Sequence, residues 1–221
     1  MADYANIHGH RITTARVTIP SWGLWHGDVR VDDYVDEVIN GTLTIGGLTM
    51  VCTSVRSANT AGARSQRVVA GAGGWRTQVP SKFYQHTRAG VSLSMILADV
   101  ALEIGETIGP FTDSNVGFAY VRSAGSAAQV LRDLVGDGNW YVDAAGVTQI
   151  APRAVGAVVT NPFTAIGYDG AAGVVTVAAD DITQLLPGFT ITTDVIGTRQ
   201  ICAVTHLLDN GKLRSECMVT P

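Results

Sequence analysis

Charged residues are scarce in this chain. They make up 15% of 221 residues against 46% apolar, although the surface of a free-standing soluble protein has to be built from something polar. Two sources can make up the deficit: partner subunits that cover part of the surface, or a β-rich chain whose Thr, Ser and Gly do the solvating. Cationic charge is not in excess either. Fifteen Lys and Arg face nineteen Asp and Glu, for a net charge of −4, which argues against the clustered cations that grip nucleic-acid phosphates. Long apolar runs are missing, and nothing approaches the roughly 20 residues that cross a bilayer as a helix. Met1 to His10 lacks the basic segment and apolar stretch of a secretory signal, so the expected setting is a cytosol until assembly. Cysteine is limited to Cys52, Cys202 and Cys217. They are an odd number, far apart, with no CxxC pair, and each sits in a strand-like run, which predicts reduced core residues. The length suffices to bury a core without staples.

Short strands separated by turn residues fill the first part: Arg16–Ile19, Asp28–Val31, Leu43–Ile45, Leu48–Cys52 and Gln66–Ala70, several with the alternation of a half-buried strand. Gly46-Gly47 reads as a tight hairpin turn, because glycine reaches the positive φ that primed turns need. The period then changes. Leu93, Ile96, Leu97, Val100 and Ile104 recur at helical spacing with Gly105 placed to stop the helix. A second helix starts at the capping box Ser126-Ala127-Ala128-Gln129, carries Val130, Leu131, Leu134 and Val135, and ends at Gly136. A hairpin follows, Trp140–Val142 and Val147–Ile150 around Asp143–Gly146. Short strands return at Ala157–Thr160, Val174–Val177, Phe189–Thr192, Ile201–Leu207 and Leu213–Val219, the last two joined at Asp209-Asn210-Gly211.

The predicted fold is therefore mainly β with an α+β insert. Two small antiparallel β-barrels, residues 1–80 and 153–221, flank a helix-helix-hairpin segment over 81–152. Gly62 to Gly74, rich in small residues, is expected to be a mobile loop.

Signals for chemistry are few. Gly71-Ala72-Gly73-Gly74 follows a strand but lacks the last glycine of GxGxxG and the Lys-Ser/Thr of a P-loop, so a glycine turn or bulge is expected rather than a phosphate cradle. His8 and His10 are two ligands where zinc needs three or four, and read as frayed terminal histidines. His206, inside a strand-like run, reads as a satisfied histidine at a barrel wall or interface. No GxSxG elbow or Cys-His pair is found. Paired acids occur at Asp32-Asp33, Asp36-Glu37 and Asp180-Asp181; a glycosidase needs two carboxylates across a cleft, whereas adjacent acids usually belong to a solvated loop. Trp22, Trp25 and Trp75 offer a sugar or base platform, or more simply core and interface packing. No catalytic residue, metal or cofactor is expected, and the chain is not expected to be an enzyme.

Several segments together resemble a known family. Ala15–Val31 is similar to the opening strand pair of phage hub subunits, and Val68–Arg76 to the segment closing their first barrel. Val91–Val100 and Ser126–Val142 resemble the helices and strand of their insert. Leu186–Phe189 with Val204–Glu216 resembles the hairpin ending their second barrel. On these residues the chain resembles the tail hub proteins of contractile and long non-contractile phage tails, akin to late control protein D and the amino-terminal part of VgrG.

The resemblance implies a structural subunit of a tail baseplate hub in the virion, assembled in the host cytoplasm. Three copies with two barrels each form a ring of near-sixfold character. The ring adapts a hexameric tail tube or distal tail protein above to a trimeric spike, tip or fibre protein below, with the tape measure protein as a further neighbour. The outer barrel faces are then ring contacts, with Trp22, Trp25 and Trp75 as candidate interface anchors. Larger relatives carry spike, lysozyme or fibre-attachment domains; with the sequence ending at Pro221 after the second barrel, no piercing or lytic activity is expected. Two other readings remain: a tail-borne carbohydrate-binding or wall-degrading module, and a monomeric cytosolic β-barrel binding protein.

Overall fold

The computed structural model describes residues 4–32, 41–60 and 62–220. Six strands open the chain: β1 (Ala5–Ile7), β2 (His10–Ile19), β3 (His26–Val31), β4 (Gly41–Ile45), β5 (Leu48–Thr60) and β6 (Ala63–Ala70). They are ordered β1-β4-β5-β6-β3-β2, and β2 pairs back onto β1, so the barrel closes. Strand β3 illustrates why. Val29 and Val31 are buried while Asp28 and Arg30 are exposed, the period of two that a strand with one wet face requires. Ile7, Val17, Leu43, Ile45 and Met50 are fully buried, and closure leaves these strands few free edges. The stretch expected to be a mobile loop from Gly62 is mostly β6, because Ala63, Arg64, Gln66 and Val68 are buried and pair with both β5 and β3.

The Gly46-Gly47 turn joins β4 to β5 with φ of 51° and 80°, the left-handed backbone of a primed hairpin. It also abuts the far end of the chain. The Gly46 carbonyl accepts from the Ile182 N–H at 2.9 Å, and a Cβ on Gly46 would lie 2.4 Å from Cδ2 of Leu213. Glycine is required there twice over, by φ and by space.

The insert begins with a 3-10 turn at Gly74–Arg76, followed by β7 (Gln78–Val79), β8 (Lys82–Gln85) and β9 (Val91–Ser92). Helix α1 (Leu93–Ile104) is capped by the Ser92 hydroxyl, which accepts from the Met95 N–H, and stops at Gly105 with φ 73°, as its apolar spacing predicts. Next come β10 (Thr107–Ile108), β11 (Asn115–Gly117), β12 (Ala119–Arg122), β13 (Gly125–Ser126), helix α2 (Ala127–Val135), β14 (Tyr141–Val142) and β15 (Val147–Gln149). Ser126 caps α2 by accepting from the Gln129 N–H. Two-residue to four-residue ribbons lace the helices together, β8 with β12, β9 with β11 and β7 with β13. Beneath them Arg122 is buried, donating to the Pro80 carbonyl and to Glu103 at 2.8 Å.

The carboxy-terminal strands are β16 (Thr164–Asp169), β17 (Val174–Ala178), β18 (Thr190–Thr193), β19 (Gly197–Asp209) and β20 (Lys212–Val219). They extend the barrel sheet: β19 pairs with β2, and the order continues β19-β20-β17-β16, with β18 on the start of β19. A single buried row, Val68, Gly27, Val17, His206, Ser215 and Val177, crosses directly opposite positions from β6 to β17. Where the sequence suggests a second barrel, the described residues form an open arm with β16 as its outer edge. The strand expected at Ala157–Thr160 is absent apart from one bridge between Val158 and Thr190. The Gln184 side chain takes the Thr160 and Asn161 N–H groups at 2.6 and 2.9 Å, so those donors are lost to any ladder. Cys52 and Cys217 are buried and Cys202 half-buried, all as free thiols, and burial pushes the first two up to about 12.

Candidate functional site

The three tryptophans singled out above lie where the barrel meets the insert. Trp25 and Trp75 are buried within the chain and Trp22 is half-buried. They are joined by Trp140, which the sequence reading passed over: its ring lies 6.4 Å from Trp22, edge-on, and 6.3 Å from Trp75. The Trp75 indole N–H donates to the Thr148 hydroxyl at 2.7 Å, satisfying the polar end of a buried ring. Backbone bonds reinforce the seam, with the Gly23 N–H donating to the Trp140 carbonyl and the Val142 N–H to the Gly23 carbonyl. Only Trp22 keeps surface to offer a neighbour, with the Arg132 guanidinium 6.0 Å from its ring.

The glycine-rich turn after β6 is an anion cradle, and its anion is supplied by the chain. Gly71 and Gly73 have φ of 64° and 79°, which turns successive N–H groups inward. The Glu106 carboxylate accepts from the Gly74 N–H at 2.6 Å and the Ala72 N–H at 3.4 Å. Burial raises the Glu106 carboxyl above its ordinary range, opposed by those backbone donors. A Cβ on Gly74 would fall 2.2 Å from the Ile104 carbonyl oxygen, so this loop and the end of α1 are in direct contact. A phosphate has no room where Glu106 already sits.

The histidines and acids hold no cluster. Among the described residues, no group of three or more His, Cys, Asp or Glu is placed to hold a metal ion. His8 and His10 are not frayed: His8 occupies the β1–β2 turn with its N–H on the Thr42 carbonyl, and His10 pairs with Ile7. His206 is buried, its Nδ1 2.8 Å from the Ser215 hydroxyl, with Nε2 unpartnered; burial depresses it to about 3, which keeps the ring neutral. Asp181 caps its own turn by accepting from the Thr183 N–H and hydroxyl. Asp33, Asp36 and Glu37 lie outside the described residues.

The surface most unlike that of a self-sufficient domain is the arm's edge. All six residues of β16 are exposed, on both faces, and among the described residues only β17 pairs with it. Beside it runs a groove of about 390 Å³ lined by Ile166, Tyr168, Val175 and Val195, of which Val195 is 68% exposed. Pattern reading missed β16 because Thr164–Asp169 has no buried face to create an alternation.

No protein-family model matches the sequence, and no curated protein matches it. Solved structures do. The E. coli c3393 protein, described as a component of the type VI secretion system with structural similarity to T4 bacteriophage tail proteins gp27 and gp5, superposes with a TM-score of 0.66 at 12% identity, covering 98% of this chain and 77% of that one. The 43 kDa tail protein of prophage MuSo2 from Shewanella oneidensis superposes with a TM-score of 0.53 at 9% identity, covering 95% and 93%. The chain thus shares its fold with these two proteins, mostly β with one closed six-stranded barrel.

Proposed function

We propose that this chain is a structural, non-enzymatic subunit of a bacteriophage tail baseplate hub. In that reading three copies form a ring that adapts a hexameric tail tube to a trimeric spike, tip or fibre. The carrying observation is β16. Ordering a strand costs about 1–2 kcal/mol per residue, and each hydrogen bond to β17 returns only about 1 kcal/mol net. With no face buried, the strand gains its missing stabilisation from a neighbour in an assembly. A row of unpaired backbone groups is otherwise an aggregation template. The shared tail-protein fold supports the same reading, as does the low charge fraction, which suits a surface covered by other subunits.

The partners of such a ring are the tail tube or distal tail protein above and the tip protein below, placing the chain in the virion after assembly in host cytoplasm. Light scattering followed by negative-stain imaging of the purified chain tests this. A threefold ring with a central opening is expected; a compact monomer that also fails to associate with tail-tube protein would overturn it.

A further inference from the structure

The solvent face of the sheet carries cations in register. Directly opposite positions across four barrel strands and two strands of the arm read Arg56, Arg67, Asp28, Arg16, Leu207 and Arg214, a row of about 24 Å at the usual strand spacing. The adjoining row adds Arg30, opposite Ser65, and Lys212, opposite Asp209. Arg56 and Arg67 face each other as like charges, an arrangement that destabilises a sheet. Among the described residues, the carboxylate bonded to this set is Asp28: Arg67 donates through Nε and Nη2 to its two oxygens at 2.8 and 2.7 Å. Among the described residues, the side chains of Arg30 and Arg56 make no hydrogen bond or ion pair. Between them lies a groove of about 380 Å³ whose wall includes Arg30, Arg56, Arg67, Thr14, Ser57 and Ser65.

We propose that this groove binds an acidic segment of a partner polypeptide, its carboxylates held side-on by Arg30 and Arg56. The chemistry favours carboxylates over nucleic acid. Among the described residues no aromatic ring lines the groove, so a base finds no ring there to stack on. The fork geometry already grips one carboxylate at Asp28, and two unused forks flank it. Guanidinium is chosen over ammonium almost throughout, since Lys82 and Lys212 are the only lysines, and the planar fork is what matches a carboxylate with two bonds. An extended segment with Glu at alternate positions presents carboxylates about 6.7 Å apart, and the long side chains of Arg30 on β3 and Arg56 on β5 line the same groove from either side of β6. The proposal goes beyond the hub reading and does not depend on it.

The test uses the full chain and a fluorescein-labelled ten-residue peptide of alternating Glu and Ser, followed by anisotropy at low and at raised salt. Binding that weakens with salt is expected. The exposed pair Arg30→Ser/Arg56→Ser should weaken it by about tenfold or more, the worth of a charge-assisted hydrogen bond. Arg30→Lys/Arg56→Lys should weaken it by a smaller but measurable factor, because charge survives and the fork does not. The proposal is overturned by absence of binding at low salt, by unchanged affinity in the Ser pair with the native melting curve retained, or by tighter binding of a ten-nucleotide oligothymidylate.

Discussion

The Gly74 N–H donates to the Glu106 carboxylate at 2.6 Å, so the turn leaving the barrel is held by the residue just past the end of α1. The bond ties the end of the barrel to the end of α1. Its donor comes from a glycine turn, its acceptor from a helix terminus 32 residues later, and both are buried. Removing the carboxylate by Glu106→Ala strands the buried Gly74 N–H, at about 1–3 kcal/mol for a buried donor left unmade. A loss of about 1–3 kcal/mol is expected in urea unfolding at pH 7.

The Glu106 carboxyl is raised in the folded state by burial. Its contribution is therefore fully present below the unfolded value near 4.5 and lost as pH rises through the folded value. Relative to Glu106→Gln, which does not titrate, the native chain should gain stability as pH is lowered from neutrality towards that range. Paired urea titrations across the interval measure the difference.

His206 carries the opposite sign. Its ring is depressed from 6.5 to about 3 by burial, so below pH 6.5 the unfolded chain takes a proton that the folded chain refuses. Stability should fall by about 1.4 kcal/mol per pH unit between those values on this account. The slope difference between the native chain and His206→Gln, measured between pH 6 and pH 4, isolates it.

The tryptophans should separate by role. Trp75→Ala opens a cavity and orphans the Thr148 hydroxyl, for a cost of about 3–5 kcal/mol. Trp22→Ala, from a half-buried position, should cost about 1–2 kcal/mol and weaken any ring contact made by its exposed part. Thermal melts read the first effect, light scattering the second.

Gly46→Ala should destabilise by about 1–3 kcal/mol, from overpacking against Leu213 and from the positive φ. The steric part has an address. In a Leu213→Ala background, where the clashing Cδ2 is gone, the same substitution should cost measurably less, a coupling that a double-mutant cycle in urea resolves.

For the arm's edge, Ile166→Lys should leave monomer stability within about 0.5 kcal/mol, since the residue is 48% exposed, yet lower the assembled mass. An unchanged ring in this variant would remove β16 from the contact.

Local rules carried a long way here. The helix ends at Ser92, Gly105, Ser126 and Gly136 follow from capping chemistry acting over four residues, and the hairpins at Gly46-Gly47 and Asn210-Gly211 from the positive φ that those residues tolerate, Asn210 at 49° and Gly211 at 77°. Strands with one wet face announce themselves by alternation, as β3 does. Those without a buried face, such as β16, do not, and the Val-rich Ala157–Thr160 imitates a strand that stops after one bridge, where Gln184 takes the Thr160 and Asn161 N–H groups.

The sequence by itself determined both helices, the strands with one wet face, and the lack of a recognisable catalytic motif, because these depend on periodicity and on neighbours within a few residues. Tertiary structure alone decided that the carboxy-terminal strands extend one barrel's sheet instead of closing a second barrel. It also decided that Glu106 fills the glycine cradle and that Arg16, Arg30, Arg56 and Arg67 share one face. Each depends on register between segments tens to nearly two hundred residues apart, and a shift of one residue would send every side chain to the opposite face.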